Sequence, residues 1–344
     1  MRIILANPRG FCAGVHMAID VVDQLLDLCP DKAIYVFHEI VHNKHVVHRF
    51  RDRGVVFVED VAEVPPGNIV VFSAHGVSPQ VRQVAQERGL TAVDATCPLV
   101  TKVHMEAIRY ARQGYQILLI GHADHQEVVG TRGEAPDAIQ VVEKPEDIEH
   151  LNVRDANKLV YLTQTTLSID DARVIIDALK KAFPNIKEPP SSDICYATTN
   201  RQHAVRAIAP DCDLCLVVGS RNSSNSVRLT ELSENVGCPA RLIDDVTEIE
   251  PAWFEDVQRV LVTAGASAPE DLVASLVKKL VNEYAAEIEV ADVSEEDVEF
   301  AIPATLKRLM REQGVDPTDR RIHITRPVIT EDLYGAVPLT VGAT

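Results

Sequence analysis

Nowhere in its 344 positions does the chain run to about 18 consecutive apolar residues, so no membrane-spanning helix is expected. The opening MRIILANPRGFC has no charged leader, long apolar stretch or small-residue cleavage site, and it lacks the Ser- and Arg-rich character of a transit peptide. A cytoplasmic protein is expected. Basic residues are outnumbered, 34 Lys and Arg against 51 Asp and Glu, giving a net charge of −17. That balance disfavours nucleic acid and anionic membrane as partners. A disulfide framework is also unexpected, because seven cysteines are an odd number and no secretory signal accompanies them. No G-x-G-x-x-G dinucleotide fingerprint is evident. What remains is an ordinary globular composition, 46% hydrophobic and 25% charged, long enough for two or three domains.

Three cysteines stand at similar places, each at the end of an apolar run just before a helical pattern. They are Cys12 in ILANPRGFCAGVHMA, Cys97 in TAVDATCPLVTKVH and Cys195 in SSDICYATTNRQHAV, separated by 85 and 98 residues. Packing alone seldom repeats a thiol in this way. If the units are related by a pseudo-threefold axis, the three sulfurs converge on it, which makes a metal or iron–sulfur site.

Short Val-, Ile- and Leu-rich runs alternate with helical patterns throughout, as buried parallel strands with crossover helices do. Each unit carries two further strand-to-loop junctions. The first falls at His42, His125 and Ser223, which lie 30, 28 and 28 residues after their cysteines; the second falls at His75, Thr165 and Ser267, at 63, 68 and 72. Repetition at this period takes precedence over any single motif. In open α/β sheets, ligands bind at the carboxyl ends of strands. The expected fold is therefore α/β: three small domains related by a pseudo-threefold axis, with mostly parallel sheets, around one central site. The expected division is 1–96, 97–193 and 194–304, followed by a C-terminal extension, 305–344, that belongs to no repeat.

The three central cysteines come from different units, which suits an enclosed cluster better than a zinc site built from local cysteine pairs. A cubane 4Fe–4S cluster normally takes four thiolates, so three leave one iron open to act on a substrate oxygen. Cys212 and Cys215 form a C-x-x-C, but Cys215 lies on the apolar run CLVVG and no second pair follows, so core packing is expected. Cys29 and Cys238 are isolated and read as structural. His42, His75, His125, Ser223, Ser224, Asn225 and Ser267 carry hydrogen-bond donors, and most precede or open a helix. Together they read as an anion site held by neutral donors and helix N-termini. HNKHVVH lacks a carboxylate placed with it, so His45 and His48 read as helix-face residues rather than metal ligands. A carboxyl at Glu127 facing this centre would have its pKa raised, making it a proton donor, with Thr165 as relay.

At these residues the chain resembles the 4-hydroxy-3-methylbut-2-enyl diphosphate reductase family, the last enzyme of the non-mevalonate isoprenoid pathway. The segments that carry the resemblance are NPRGFCAGV, HEIVHN, FSAHGVS, DATCPLVTKVH, GHADHQEVVG, TQTTLS, ICYATTNRQ, VGSRNSSNS and TAGASAP, spread over about residues 1–300. The resemblance implies three α/β domains around a 4Fe–4S cluster held by Cys12, Cys97 and Cys195. It implies a diphosphate bound by His42, His75, Ser223, Asn225 and Ser267 with Ser224 beside them, a pocket lined by His125 and Thr165, and proton delivery by Glu127. It also implies reduction of the substrate to isopentenyl and dimethylallyl diphosphate with electrons from a flavodoxin- or ferredoxin-type donor. The alternative is an iron–sulfur sensor that binds an isoprenoid diphosphate without turnover. Gln126 stands where the family usually has proline, which is expected to loosen the loop carrying Glu127.

Overall fold

The computed structural model describes residues 1–318 and 330–339. The chain begins with β1 (Arg2–Asn7), α1 (Ala13–Leu28), β2 (Ile34–Phe37), α2 (Lys44–Asp52), β3 (Val56–Val58), β4 (Ile69–Phe72), α3 (Pro79–Glu87) and β5 (Thr91–Asp94). It continues through α4 (Pro98–Arg112), β6 (Gln116–Ile120), α5 (Gln126–Glu134), β7 (Ile139–Val142), β8 (Leu159–Thr163) and α6 (Ile169–Ala182). The last third holds α7 (Tyr196–Ile208), β9 (Leu214–Val218), α8 (Ser224–Asn235), β10 (Ala240–Ile243), β11 (Arg259–Ala264), α9 (Glu270–Tyr284) and β12 (Glu287–Asp292). Three short elements follow, α10 (Ala304–Glu312), α11 (Thr330–Tyr334) and β13 (Val337–Leu339).

The strands form three sheets, ordered β10-β9-β11-β1-β12-β13, β3-β2-β4-β5 and β7-β6-β8, and every strand pair among the described residues is parallel. The fold is α/β with several small parallel sheets, as expected. Strands β4, β6, β8 and β9 are buried along their whole length. Helices cover both faces of such strands, which is why they read as unbroken apolar runs rather than as alternation.

The strand leading to a cysteine and the helix following it belong to different sheets. β1 leads to Cys12 but pairs with β11 and β12. Helix α1 then buries Val15, Ile19, Val22 and Leu25 against Val36 and Val71 of the β2–β4 sheet. β5 closes that sheet and leads to Cys97, after which α4 places Val103, Ala107 and Tyr110 on Ile117, Leu119 and Val160 of the third sheet. α7, after Cys195, returns to the first sheet, with Ala204, Val205 and Ile208 against Ile4, Cys215 and Leu261. Residues 2–7 are thus joined by their sheet to the last third of the chain, not to residues 8–96. Cys195 departs from expectation in another way. No regular strand precedes it, only a bridge from Lys187 to Val160, because Pro189 and Pro190 have no N–H to extend a ladder.

The expected extension is tied into the fold where it is described. Leu306 and Met310 of α10 are buried with α1 in one core, and β13 pairs with β12. Residues 319–329 and 340–344 lie outside the described residues.

Candidate active site

Cys12, Cys97 and Cys195 are the N-cap residues of α1, α4 and α7. A thiolate there faces unpaired N–H groups and the positive end of the helix dipole. All three are free thiols lining one cavity of about 690 Å³, counting its open mouth. Burial first, then the negative charge of Cys12, pushes Cys97 up to about 12 and Cys195 up to about 11. Mutual repulsion of this kind is relieved when a metal takes the thiolates. Thr198 supports Cys195, its N–H lying 3.4 Å and its hydroxyl 3.2 Å from Sγ. Gly14 leaves room for the sulfurs, since a Cβ there would stand 2.7 Å from Cys97 Sγ. Among the described residues, no three Cys, His, Asp or Glu side chains gather closely enough to share one ion.

A second group of side chains lines the same cavity. His42 and His75 stack with centroids 3.9 Å apart, and His125 stands edge-on to them at 5.4 and 6.0 Å. Burial pushes His125 down to about 3 and holds His75 well below the usual range, with the neighbouring imidazoles adding to both. At pH 7 the His75 and His125 rings are therefore neutral, and each offers one N–H, while His42 Nδ1 lies 3.2 Å from Glu39 Oε2. Opposite them, Ser223 caps α8 by accepting from Ser226 N at 3.4 Å. Ser267 Oγ donates to His42 O at 2.9 Å, linking the two walls. The turn at Ser223 is tight because Gly219 and Gly265 have no side chain; a Cβ on either would fall about 2 Å from Ser226 Oγ. Asn225 Oδ1 accepts from Ala266 N at 2.9 Å, and its buried Nδ2 has no partner. An unpaired buried donor is costly unless a ligand meets it. Ser224 lines the cavity beside Asn225 and is held by Thr166 O at 3.3 Å.

Glu127 and Thr165 complete the set. Thr165 N donates to Glu127 Oε1 at 2.6 Å and Thr165 Oγ1 to Oε2 at 2.8 Å. Burial pushes the carboxyl up to about 7, against the pull of those two hydrogen bonds and with a further rise from Asp193. Gln126 occupies the first position of α5, where proline is at home. The turn is nonetheless held, since His125 Nδ1 accepts from Glu127 N at 3.2 Å.

All twelve residues singled out in the sequence therefore line one cavity. The rest of the wall is mostly apolar, with Val15, Val41, Ala74, Leu99 and Val100, and Thr166 and Thr198 add two hydroxyls. Sequence reasoning missed Gly14 and Thr198, although Thr198, three positions after Cys195 in the first turn of its helix, could have been found as a cap partner. The residues set aside lie elsewhere. Cys212, Cys215 and Cys238 share one apolar core, His45 pairs with Asp245 at 3.1 Å, and His48 pairs with Asp52 at 3.7 Å. Arg221 is exposed and meets Glu248. No helix among the described residues is long and apolar enough to cross a membrane.

A model of the LytB protein family matches residues 3–281. A Nocardia farcinica protein named 4-hydroxy-3-methylbut-2-enyl diphosphate reductase is 52% identical over 311 residues, covering 90% of this chain and 92% of its own. A Rhodopirellula baltica protein of the same name is 53% identical over 314 residues, covering 91% and 98%. Among solved structures, the E-1-hydroxy-2-methyl-but-2-enyl-4-diphosphate reductase of Plasmodium falciparum superposes with a TM-score of 0.89 at 41% identity, over 91% of this chain and 99% of that one. Cavity, sheets and sequence agree, and the chain belongs to the LytB protein family.

Proposed function

We propose that this chain reduces 4-hydroxy-3-methylbut-2-enyl diphosphate to isopentenyl and dimethylallyl diphosphate in the cytoplasm, using a 4Fe–4S cluster held by Cys12, Cys97 and Cys195. One observation carries the reading: three free thiols, a wall of hydrogen-bond donors and a buried acid share a single cavity that also has an apolar stretch. The apolar part suits a five-carbon chain and the donor wall suits a diphosphate. The cluster, when bound, supplies single electrons and a Lewis-acidic iron. The electrons come from an external flavodoxin- or ferredoxin-type donor.

The chain's own groups do the rest. His42, His75, Ser223, Asn225 and Ser267 bind the diphosphate, with the N-terminus of α8 adding its dipole and Ser224 and His125 bounding the pocket. The incoming negative charge raises the affinity of the imidazoles for protons and so strengthens their hydrogen bonds. Glu127 gives a proton, through Thr165 Oγ1, to the departing oxygen. Overall two electrons and two protons enter, the C–O bond breaks and water leaves. The second proton goes to either end of the allylic unit, which yields the two products. A sensor would have no use for a buried acid paired with a hydroxyl.

The test is product analysis after anaerobic incubation of cluster-loaded, chemically reduced protein with the substrate. Both five-carbon diphosphates are expected, and an intact brown protein that forms neither would sink the reading. His75→Asn is expected to raise KM roughly tenfold or more, the cost of a hydrogen bond to a charged group, with a smaller change in kcat. An unchanged KM would place the diphosphate elsewhere.

A further inference from the structure

Two cations on the cysteine helices reach the loops that lead to other cysteines. Arg201, in the second turn of α7, is completely buried. Its Nη1 donates to Ala197 O in its own helix, and Nη2 donates to Gly10 O at 2.7 Å, two residues before Cys12. Glu296 meets the charge at 2.9 Å and also accepts from Asn200. Beside it, the Tyr196 hydroxyl accepts from Ala13 N at 3.2 Å. Lys102, in the second turn of α4, repeats the arrangement. It donates to Ser191 O and Ser192 O at 3.1 Å each and to Asp193 Oδ1 at 3.0 Å, all just before Cys195. Asp193 is itself buried and accepts from Thr163 N at 3.0 Å. For Cys97 the contact is direct, Gly14 of α1 lying against it.

The helix after Cys97 thus grips the loop leading to Cys195, and the helix after Cys195 grips the loop leading to Cys12. A buried ion pair ordinarily adds little net stability. Here, however, both cations spend donors on backbone carbonyls within four residues of a cysteine, where a side-chain partner alone would have served the charge. We infer that Arg201 and Lys102 are positioning residues that set the spacing of the cysteine loops for the cluster. The inference rests on the reading of Cys12, Cys97 and Cys195 as cluster ligands.

The test uses the full chain, reconstituted anaerobically with iron and sulfide, as wild type, Arg201→Lys and Lys102→Met. Arg201→Lys keeps the charge and loses the planar fork that reaches two carbonyls and a carboxylate together. The measurements are iron and sulfide per chain, the rate at which visible absorbance bleaches in excess ferrous chelator, and thermal unfolding of each cluster-free form. Both variants are expected to bleach about tenfold faster or more, the usual effect of a lost outer-shell partner, while the cluster-free forms unfold close to wild type. Bleaching at the wild-type rate overturns the inference. So does a loss of stability as large in the cluster-free form as in the loaded one, which marks a merely structural role. Should Arg201→Lys not fold, Lys102→Met decides alone, since its side chain is partly exposed. A wild-type chain that takes up no iron and sulfide overturns the ligand reading itself, and this inference with it.

Discussion

Cys97→Ser protein is expected to leave anaerobic reconstitution nearly colourless, while Cys212→Ala is as brown as the wild type. The contrast isolates position from residue type, since burial pushes both thiols up to about 12. Cys97 caps α4 and faces Cys12 and Cys195 across the cavity, whereas Cys212 packs with Cys215 and Cys238 beside Val205 and Leu232. A serine hydroxyl is a hard, weakly acidic donor and a poor substitute for thiolate toward iron. Losing an outer-shell partner already costs about tenfold to a hundredfold in metal affinity, and losing a ligand should cost more. Iron and sulfide per chain, measured after desalting, give the answer. A Cys97→Ser protein with full iron content, or a colourless Cys212→Ala protein, would reverse the assignment.

Glu127→Gln should keep its cluster and bind the diphosphate, yet turn over at least about a hundredfold more slowly. Glutamine fills the same volume and can still accept from Thr165 N, so the fold around it is preserved. What it cannot do is hold a transferable proton. The pH dependence adds a second readout. With the carboxyl pushed up to about 7, the acid form dominates below that value and is lost above it. Wild-type kcat should accordingly fall as pH rises through about 7, and the residual rate of Glu127→Gln should lack that limb. Near-normal turnover in the variant, or an unchanged alkaline limb, would take Glu127 out of the proton path.

The site was legible in the sequence because its parts repeat. Buried parallel strands announce themselves as apolar runs, and the polar residues after them stand out at matched offsets. Other features leave no local mark. The partners of β1 lie more than 250 residues away, and parallel pairing over that distance has no signature in the segment itself. Pro189 and Pro190 were visible, and should have warned that the strand before Cys195 would shrink to a bridge. Arg201 and Lys102 leave no signal in their own segments, since only the assembled loops show what they hold. Gly14 carries no local signal either, because what a side chain there would meet is the sulfur of a residue 83 positions later.

The placement of β1 also has a bearing on how the protein is made. Its neighbours, β11 and β12, end at residues 264 and 292, so the Cys12 loop has no sheet to rest on until nearly the whole chain has left the ribosome. At about 5–20 residues per second, Cys12 emerges tens of seconds before its sheet can close. Cys97 and Cys195 follow sheets already complete behind them. The three thiols can thus meet only late in biogenesis, and a nascent chain stalled before β11 should expose the Cys12 thiol to alkylating reagents.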